Sequence, residues 1–290
     1  MAQVRPTTDQ YAADIAGLDA LDVPVQARPS FARRIWSGTW PQLAAVAVAL
    51  VGWELVSLTG WKKDYQLPGP APVIAELWSD LWSGEIPRAA GTTLQRAGIG
   101  YAIAIVIGVL IGLVVSRSRV VRAAIGSLLT GLQTMPTIAW FPLTILLFGL
   151  SETAILFVVV LGAAPAIANG LIAGVDHIPP LLLRAGRVLG ARGLSRYRHI
   201  VLPAALPGFV GGLKQGWAFA WRSLMAGELL VIIAAKPSLG QRLDNARQIS
   251  DAEGLIAAML VILVIGIVVD SVGFARAEAA IRKRWGLLTD

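Results

Sequence analysis

Three charged side chains within one long apolar segment are the first candidates for chemistry in this sequence. Lys214, Arg222 and Glu228 lie inside the segment 206–235. A charge at the centre of a lipid bilayer costs at least about 2.5 kcal/mol, and such residues usually face a cavity or pair with another charge. We therefore interpret the segment either as the wall of a path for an anion or as part of an internal network of ion pairs.

Helical periodicity gathers the polar and aromatic residues of this segment on two faces. At 100° per residue, Lys214, Trp217, Trp221 and Glu228 share a narrow stripe, whereas Arg222 lies on another face. With two residues of the third apolar segment, the predicted translocation path comprises Gln133, Trp140, Lys214, Trp217, Trp221, Arg222 and Glu228. The alternative is structural, with aromatic packing and with Arg222 held by a buried carboxylate such as Glu54 or Glu228.

The other charges in apolar segments have simpler expected explanations. Arg96 and Asp270 lie near the ends of their segments, where snorkelling or helix capping is common. Glu54 lies in the first apolar segment and could neutralise a neighbouring arginine.

The sequence offers no group suited to a membrane-embedded enzyme. It contains no cysteine and two histidines, His177 and His199. It has no carboxylate cluster at metal-ligand spacing and no Gly-x-Ser-x-Gly nucleophile motif, and none of its lysines follows a glycine as a phosphate-binding loop requires. We predict no catalytic residue, no metal site and no cofactor-binding site in this chain.

Composition identifies the elements that must position these residues as membrane helices. Of the 290 residues, 56% are hydrophobic and 15% charged, and the mean hydropathy is +0.66. The prediction is an all-α polytopic membrane protein with six transmembrane helices at about 41–58, 94–115, 122–149, 153–174, 206–235 and 254–274. Pro136 and Pro142 predict that the third span is kinked or divided into two pieces. A short surface helix is expected from Pro70 to Trp82.

Basic residues in the connecting segments predict the orientation. Sixteen Lys and Arg lie in the segments on one side of the predicted spans and six in the segments on the other, so both termini are expected to be cytoplasmic. The net charge of +7 belongs to these short loops, which favours membrane lipids over nucleic acid as the partner. Residues 1–39 are expected to form a cytoplasmic tail with an interfacial segment, and residues 40–290 the transmembrane domain.

Small residues recur at every fourth position in two predicted spans. They are Gly162, Ala166, Gly170 and Gly174 in the fourth span, and Gly208, Gly212, Gly216 and Ala220 in the fifth. Such ladders let helix backbones approach closely in lipid. Two hypotheses follow, a seam that slides during a conformational cycle or plain tight packing.

The long basic connection from Val175 to Ala204 carries a family resemblance. It has a helix-like apolar pattern ending at Gly190. The membrane subunits of binding-protein-dependent ABC importers have Glu-Ala-Ala, three residues, Gly, nine residues, Ile, one residue and Leu-Pro in this loop. The matching residues here are Arg184, Ala185, Gly186, Gly190, Ile200, Leu202 and Pro203, with Arg184 in place of the acidic residue and Gly186 in place of the second alanine.

Within that family the chain resembles the nitrate, sulfonate and taurine branch. The similar segments are Pro136 to Pro142, Gly149 to Glu152, Val188 to Ala191 and Trp221 to Glu228. The resemblance covers roughly residues 68–288, with a family core at about 90–280, and leaves the first 39 residues unassigned.

The resemblance implies a type I ABC importer permease fold with a cytoplasmic coupling helix. It implies a non-catalytic subunit of a bacterial inner membrane that works with a second copy of itself, two ATPase subunits that hold ATP and Mg²⁺, and an extracytoplasmic substrate-binding protein. The ATPase-coupling residues would be Arg184, Ala185, Gly186, Arg187, Gly190, Ala191, Leu194, Ile200, Leu202 and Pro203. The expected substrate is a small oxyanion such as an aliphatic sulfonate or taurine, or nitrate. The alternative is a secondary transporter or channel for a small anion that works without an ATPase.

Overall fold

A computed structural model describes the backbone of residues 31–63 and 65–284, and every regular element in those ranges is helical. The chain divides into two compact units, residues 1–55 and 56–290. The first unit contains most of α1 (Phe31–Leu58), which continues through Pro41. The expected interfacial segment and the first span are therefore one continuous helix from Phe31 onwards.

The second unit contains the remaining helices. In chain order these are α2 (Pro70–Ser83), α3 (Glu85–Arg117), α4 (Arg119–Thr134), a 3₁₀ turn (Thr137–Trp140), α5 (Phe141–Phe148), α6 (Glu152–Asp176), α7 (Pro180–Val188), α8 (Gly193–Arg196), a π-helical turn (Tyr197–Val201), α9 (Leu202–Leu230), α10 (Leu239–Gln248), α11 (Ala252–Val268), a second π-helical turn (Val269–Phe274) and α12 (Ala275–Arg284). The short helix expected at residues 70–82 is confirmed as α2.

The predicted spans correspond to α1, α3, α4 with α5, α6, α9, and α11 with α12. In the described ranges, four helices are long and apolar enough to cross a membrane, and α4 with α5 makes a fifth if the pair counts as one broken span. Helix α9 is long enough to cross a membrane, at 29 residues, but it is not one of these four. Its three charged residues and its glycines make it less apolar than they are.

The third span is two pieces. Its two limbs, Val120–Thr134 and Thr137–Phe148, are bent by 100° relative to each other. Pro136 lies between them and cannot donate a backbone hydrogen bond, so the helix ends before it and restarts as a 3₁₀ turn. The division expected from Pro136 is therefore present.

Helix α6 lies between α3 and α9 and is the most enclosed of the candidate spans. Its glycine ladder meets that of α9 directly: a Cβ built on Gly212 would lie 2.6 Å from Gly170 Cα, and one built on Gly208 would lie 2.5 Å from Gly174 Cα. Helix α6 therefore runs antiparallel to α9. A Cβ built on Gly108 of α3 would lie 2.8 Å from Ile167 Cβ, and one built on Gly112 would lie 3.2 Å from Leu171 Cβ, so α3 runs parallel to α6. These directions agree with the predicted alternation of spans.

Candidate functional site

A buried ion network lies where α3, α6 and α9 meet. Arg96 on α3 donates to the Glu228 carboxylate at 2.9 Å and to both oxygens of Glu152, at 2.8 and 2.9 Å. The Arg96 side chain is 5% exposed and that of Glu228 is fully buried. The expectation that Arg96 snorkels or caps a helix end was wrong, because α3 begins at Glu85 and Arg96 lies three turns inside it.

Glu228 joins three elements through its carboxylate, because it lies on α9 and bonds to residues of α3 and α10. It accepts hydrogen bonds from Thr93 Oγ1 and from the backbone N–H of Gly240, in addition to Arg96. The hydroxyl of Thr93 in turn accepts the N–H of Leu239. The start of α10 is thereby tied to α3 and to the end of α9. Helical periodicity predicted Glu228 as a residue of the translocation path. In the structure its carboxylate is bonded within this network.

The positive charge of Lys214 has a partner. Lys214 Nζ lies 3.3 Å from Asp270 Oδ1, and the two side chains are 39% and 50% exposed. The π-helical turn and α12 continue the helix beyond Asp270, so the expected explanation of this residue as a helix-end charge was also wrong. An apolar groove of about 600 Å³, lined by Trp221, Met259 and Ile267 among others, opens beside Asp270.

The aromatic stripe predicted on α9 is continuous in space. The rings of Trp217 and Trp221 are stacked at 6.0 Å, and Tyr101 of α3 meets Trp217 edge-to-face at 5.3 Å. The Tyr101 hydroxyl donates to the carbonyl of Leu213 at 2.7 Å. The stripe therefore also joins α9 to α3.

Arg222 is the remaining charge of α9, and its side chain is exposed. Within the part of the chain that the structure describes, no carboxylate forms an ion pair with Arg222. The structural alternative that pairs it with Glu228 is excluded, because Arg96 occupies that carboxylate.

The two path residues of the third span lie on either side of its break. Gln133 Oε1 accepts a hydrogen bond from Asn169 of α6 at 2.9 Å. The buried donors Gln133 Nε2 and Trp140 Nε1 have no hydrogen-bond partner among the described residues.

Sequence reasoning missed Thr93, Tyr101, Glu152 and the pairing role of Asp270. The partners of each lie between 56 and 146 positions away in the chain, so no local spacing could have indicated the contacts. The available signal was the presence of opposite charges in different apolar segments.

The helix predicted in the connection from Val175 to Ala204 is present as α7, and it ends where the resemblance places the motif glycine. Gly190 has φ +80°, a left-handed conformation that favours glycine. The N–H of Ala191 bonds to the Gly186 carbonyl at 2.9 Å and the N–H of Gly190 to that of Arg187 at 3.1 Å, which is a Schellman cap.

One side of α7 packs on the chain and the other is exposed. Gly186 contacts Ile200 so closely that a Cβ would collide with it, and Leu183 packs on the cluster around Val201. Exposed side chains are Leu181, Leu182, Arg184, Ala185, Arg187, Val188 and Leu189. Leu202 and Pro203 form the first turn of α9. Leu194 lies in α8, but its side chain is outside the described part of the structure.

Further contacts tie the connection between α7 and α9 to the neighbouring helix ends. The Arg117 guanidinium lies 5.2 Å from the centre of the Tyr197 ring, and Arg122 pairs with Asp176 at 2.8 Å. The end of α3, the start of α4 and the end of α6 therefore meet near the α7–α9 connection, at the opposite end of the bundle from Arg96.

At the Arg96 end of the bundle, α10 forms a polar surface outside the spans. Burial lowers the pKa of Arg242, but hydrogen bonds to Glu85 and Asp80 outweigh it and raise the pKa overall. Hydrogen bonds from Arg247 and Gln248 lower the pKa of Asp244. The contacts of Arg242 fix α10 against α2 and the start of α3, whereas those of Asp244 lie within α10.

Comparison with known proteins gives one consistent family. The sequence profile described as "Binding-protein-dependent transport system inner membrane component" matches residues 104–275. A putative aliphatic sulfonates transport permease of Escherichia coli (strain K12) is 29% identical over 79% of this chain and 86% of its own length. A nitrate import permease of Synechococcus elongatus is 27% identical over 66% of this chain and 71% of its own length. The inward-facing methionine ABC transporter matches at a TM-score of 0.59 with 23% identity, over 70% of this chain and 98% of the solved chain.

Proposed function

The chain belongs to the binding-protein-dependent transport system inner membrane components, and from that premise we propose that it imports a small oxyanion by alternating access. The substrate class is an aliphatic sulfonate or taurine, or nitrate. Two copies of the chain would form the path, two ATPase subunits would bind ATP and Mg²⁺, and an extracytoplasmic binding protein would deliver the substrate. Both termini would be cytoplasmic.

The observation that carries this proposal is the exposed face of α7. Leu181, Val188 and Leu189 are 76%, 87% and 85% exposed, although they lie on a helix that is firmly anchored through Gly186. Exposed apolar side chains on a rigid helix fit a groove in a partner. Arg184 and Arg187 flank them and suit acidic or carbonyl groups around such a groove.

The path would use the cations that α9 places at membrane depth. Arg222 is exposed and offers a planar fork that suits sulfonate or nitrate oxygens. Lys214 is held by Asp270 at 3.3 Å, and an anion that reaches Lys214 must compete with that carboxylate. We assign Glu228 a positioning role, because its carboxylate is enclosed by Arg96, Thr93 and Gly240.

The proposal is tested by purifying the chain with its ATPase and measuring uptake in proteoliposomes. Leu189→Asp should abolish copurification of the ATPase, whereas Ile249→Asp, at a similarly exposed apolar residue following α10, should not. ATP should be required for uptake of labelled taurine, methanesulfonate or nitrate in the presence of the binding protein. Uptake of these anions by the chain alone, without ATP, would instead establish the secondary-transporter or channel function.

A further inference from the structure

We propose that the cleft between α3 and α6 binds one phospholipid, with the phosphate at Lys236 and one acyl chain lying along the two helices. The cleft has two parts, a small polar pocket and a longer apolar groove, and both are lined by residues of the second unit. The inference concerns the binding of lipid and does not rest on the proposed transport function.

The apolar groove has a volume of about 480 Å³ and is formed by regular stripes of side chains. At helical spacing, Ile103, Ile107 and Ile111 line it from α3, and a stripe from Thr153 to Pro165 lines it from α6. Two leucines of α4 complete the lining. Apart from the hydroxyl of Thr153, the side chains that the structure places along this groove carry no nitrogen or oxygen. Such a surface suits a hydrocarbon chain.

The polar pocket continues the same stripes toward the Arg96 end of the bundle. It has a volume of about 140 Å³ and is lined on α3 by Gln95, Arg96 and Ile99 among others. Ile99 lies one turn before Ile103 of the groove, and Leu156 of α6 lines both the pocket and the groove. The two cavities are therefore parts of one cleft that is polar at its end and apolar along its length. A phospholipid has the same division of polarity.

The length and width of the groove fit one acyl chain. From Thr153 to Pro165 the axis of α6 advances about 18 Å, which is close to one leaflet, or half of the roughly 30 Å of hydrocarbon. Spread over that length, the volume gives a cross-section of about 27 Å², whereas a helix 10–12 Å across needs roughly 80 Å² or more. The groove therefore accommodates a single hydrocarbon chain and is too narrow for another helix.

The charges of the polar pocket favour a phosphate. Two cations, Arg96 and Lys236, and one carboxylate, Glu152, line it, whereas Glu228 is fully buried behind them. Both oxygens of Glu152 accept hydrogen bonds from Arg96. Lys236 Nζ lies 3.4 Å from Glu152 Oε1, but its side chain is 58% exposed and its ammonium has three donors. Lys236 therefore retains donors for a phosphate oxygen, and the exposed Gln95 lies in the same pocket.

The test measures phosphatidylglycerol binding to the full-length protein, purified in a non-ionic detergent and freed of lipid, by native mass spectrometry. Ile107→Trp fills the groove and should raise the dissociation constant at least about tenfold, because several CH₂ groups of the chain lose their burial. Val106→Trp is the matched control, since Val106 is the neighbouring residue of α3, is 59% exposed and does not line the groove. It should leave the dissociation constant at the wild-type value.

Lys236→Met tests the contact with the phosphate. The wild-type protein should bind phosphatidylglycerol more tightly than a diacylglycerol with the same chains, which lacks the phosphate. Lys236→Met should weaken phosphatidylglycerol binding about threefold, as expected for an exposed charge pair, and leave diacylglycerol binding unchanged. The melting temperature of the lipid-free variant should stay near that of the wild type.

Three results would overturn the lipid site. Wild-type binding by Ile107→Trp would show that no chain occupies the groove, and equal losses in Ile107→Trp and Val106→Trp would show that the lipid belongs to the general lipid shell. If the wild type binds no phosphatidylglycerol and Ile107→Trp lowers the melting temperature of the lipid-free protein, a protein segment covers the groove instead. None of these measurements involves uptake, so a failure of the proposed transport function is a separate result.

Discussion

At the scale of single residues, the most consequential contact is between Arg96 and Glu228. Both side chains are buried, and each has further hydrogen bonds that replace its lost hydration. A buried pair contributes little net stability compared with an apolar pair, but removing one partner leaves an uncompensated charge. The two residues are therefore more sensitive to substitution than any surface ion pair.

Arg96→Met should destabilise the subunit by about 3–5 kcal/mol, because Glu228 keeps its charge without its main partner. We expect a much lower membrane yield and melting temperature. Lys236→Met provides the control, since Lys236 pairs with Glu152 at 3.4 Å but is 58% exposed, and exposed pairs contribute about 0–1 kcal/mol. Equal stability of the two variants would contradict the assignment of Arg96 as a structural hub.

Arg222→Lys should impair uptake while membrane yield, thermal stability and ATPase copurification stay at wild-type levels. The planar fork is lost, but no described ion pair is broken. Arg222→Met separates the path hypothesis from the structural one: loss of uptake alone supports the path, and loss of uptake and stability together supports a structural role.

Lys214→Met should raise the substrate concentration for half-maximal uptake, and Asp270→Asn, which frees Lys214, should lower it.

Some contacts of α9 could be predicted from the sequence and others could not. The spacing on α9 correctly predicted that Trp217 and Trp221 share a face, because helical periodicity is local. The same spacing placed Glu228 on that stripe. Which residues bind the Glu228 carboxylate, however, depends on how α3 and α10 pack against the end of α9. Arg96 and Glu228 are 132 positions apart, so only the tertiary structure brings them together.

At the scale of elements, α7 depends on its C-terminal cap. None of the described residues places an atom within 4 Å of a Cβ built on Gly190, so a larger side chain fits sterically. The restriction is conformational, because φ +80° costs about 1–2 kcal/mol for a residue other than glycine. Gly190 thus sets where α7 ends.

Gly190→Trp should leave the subunit folded in membranes but reduce uptake and uncouple ATP hydrolysis from substrate, because α7 no longer ends in the same geometry. Gly190→Asn is the control, since asparagine tolerates the left-handed conformation better than other residues. Substrate-stimulated ATP hydrolysis measures both. Normal stimulation in Gly190→Trp would show that α7 does not transmit ATPase closure.

The glycine seam between α6 and α9 predicts a sharp contrast between neighbouring positions. Gly212→Leu should prevent the two helices from packing, because a Cβ there already meets Gly170 Cα at 2.6 Å. Gly211→Leu should leave the membrane yield and melting temperature near wild type, since a Cβ at Gly211 meets no described atom within 4 Å. Helix propensity cannot account for a loss, because leucine favours the helix more than glycine does, so similar losses for both variants would contradict the assignment of the seam as the cause.

At the scale of the whole molecule, the two clusters at opposite ends of the bundle define two sides. Ser195→Cys and Ile249→Cys, introduced singly into this cysteine-free chain, should be labelled by an impermeant reagent from the inside and the outside respectively. Both positions are exposed, whereas Ser238 is 2% exposed and caps α10, which makes it unsuitable for labelling. Labelling of both cysteines from the same side would contradict the predicted topology.

Apolar runs were sufficient to locate the membrane helices of the second unit, but they underestimated the length of two of them and placed the end of α9 at 235 instead of Leu230. Helix α3 begins at Glu85 instead of 94, and the last span continues through α12 instead of ending at 274. Hydropathy detects only the part of a helix that contacts hydrocarbon, whereas the polar turns beyond it are stabilised by contacts such as Arg242 with Glu85. This difference explains why Arg96 and Asp270 seemed to be terminal charges.

The glycine-to-glycine contact of α6 with α9 also bears on biogenesis. Helix α9 carries three charges and is less apolar than its neighbours, so it is a poor substrate for partitioning into lipid as an isolated segment. Helix α6 precedes it in synthesis and offers a surface on which α9 can pack backbone to backbone. The order of the two helices along the chain means that the surface on which α9 packs is synthesised before the charged helix itself.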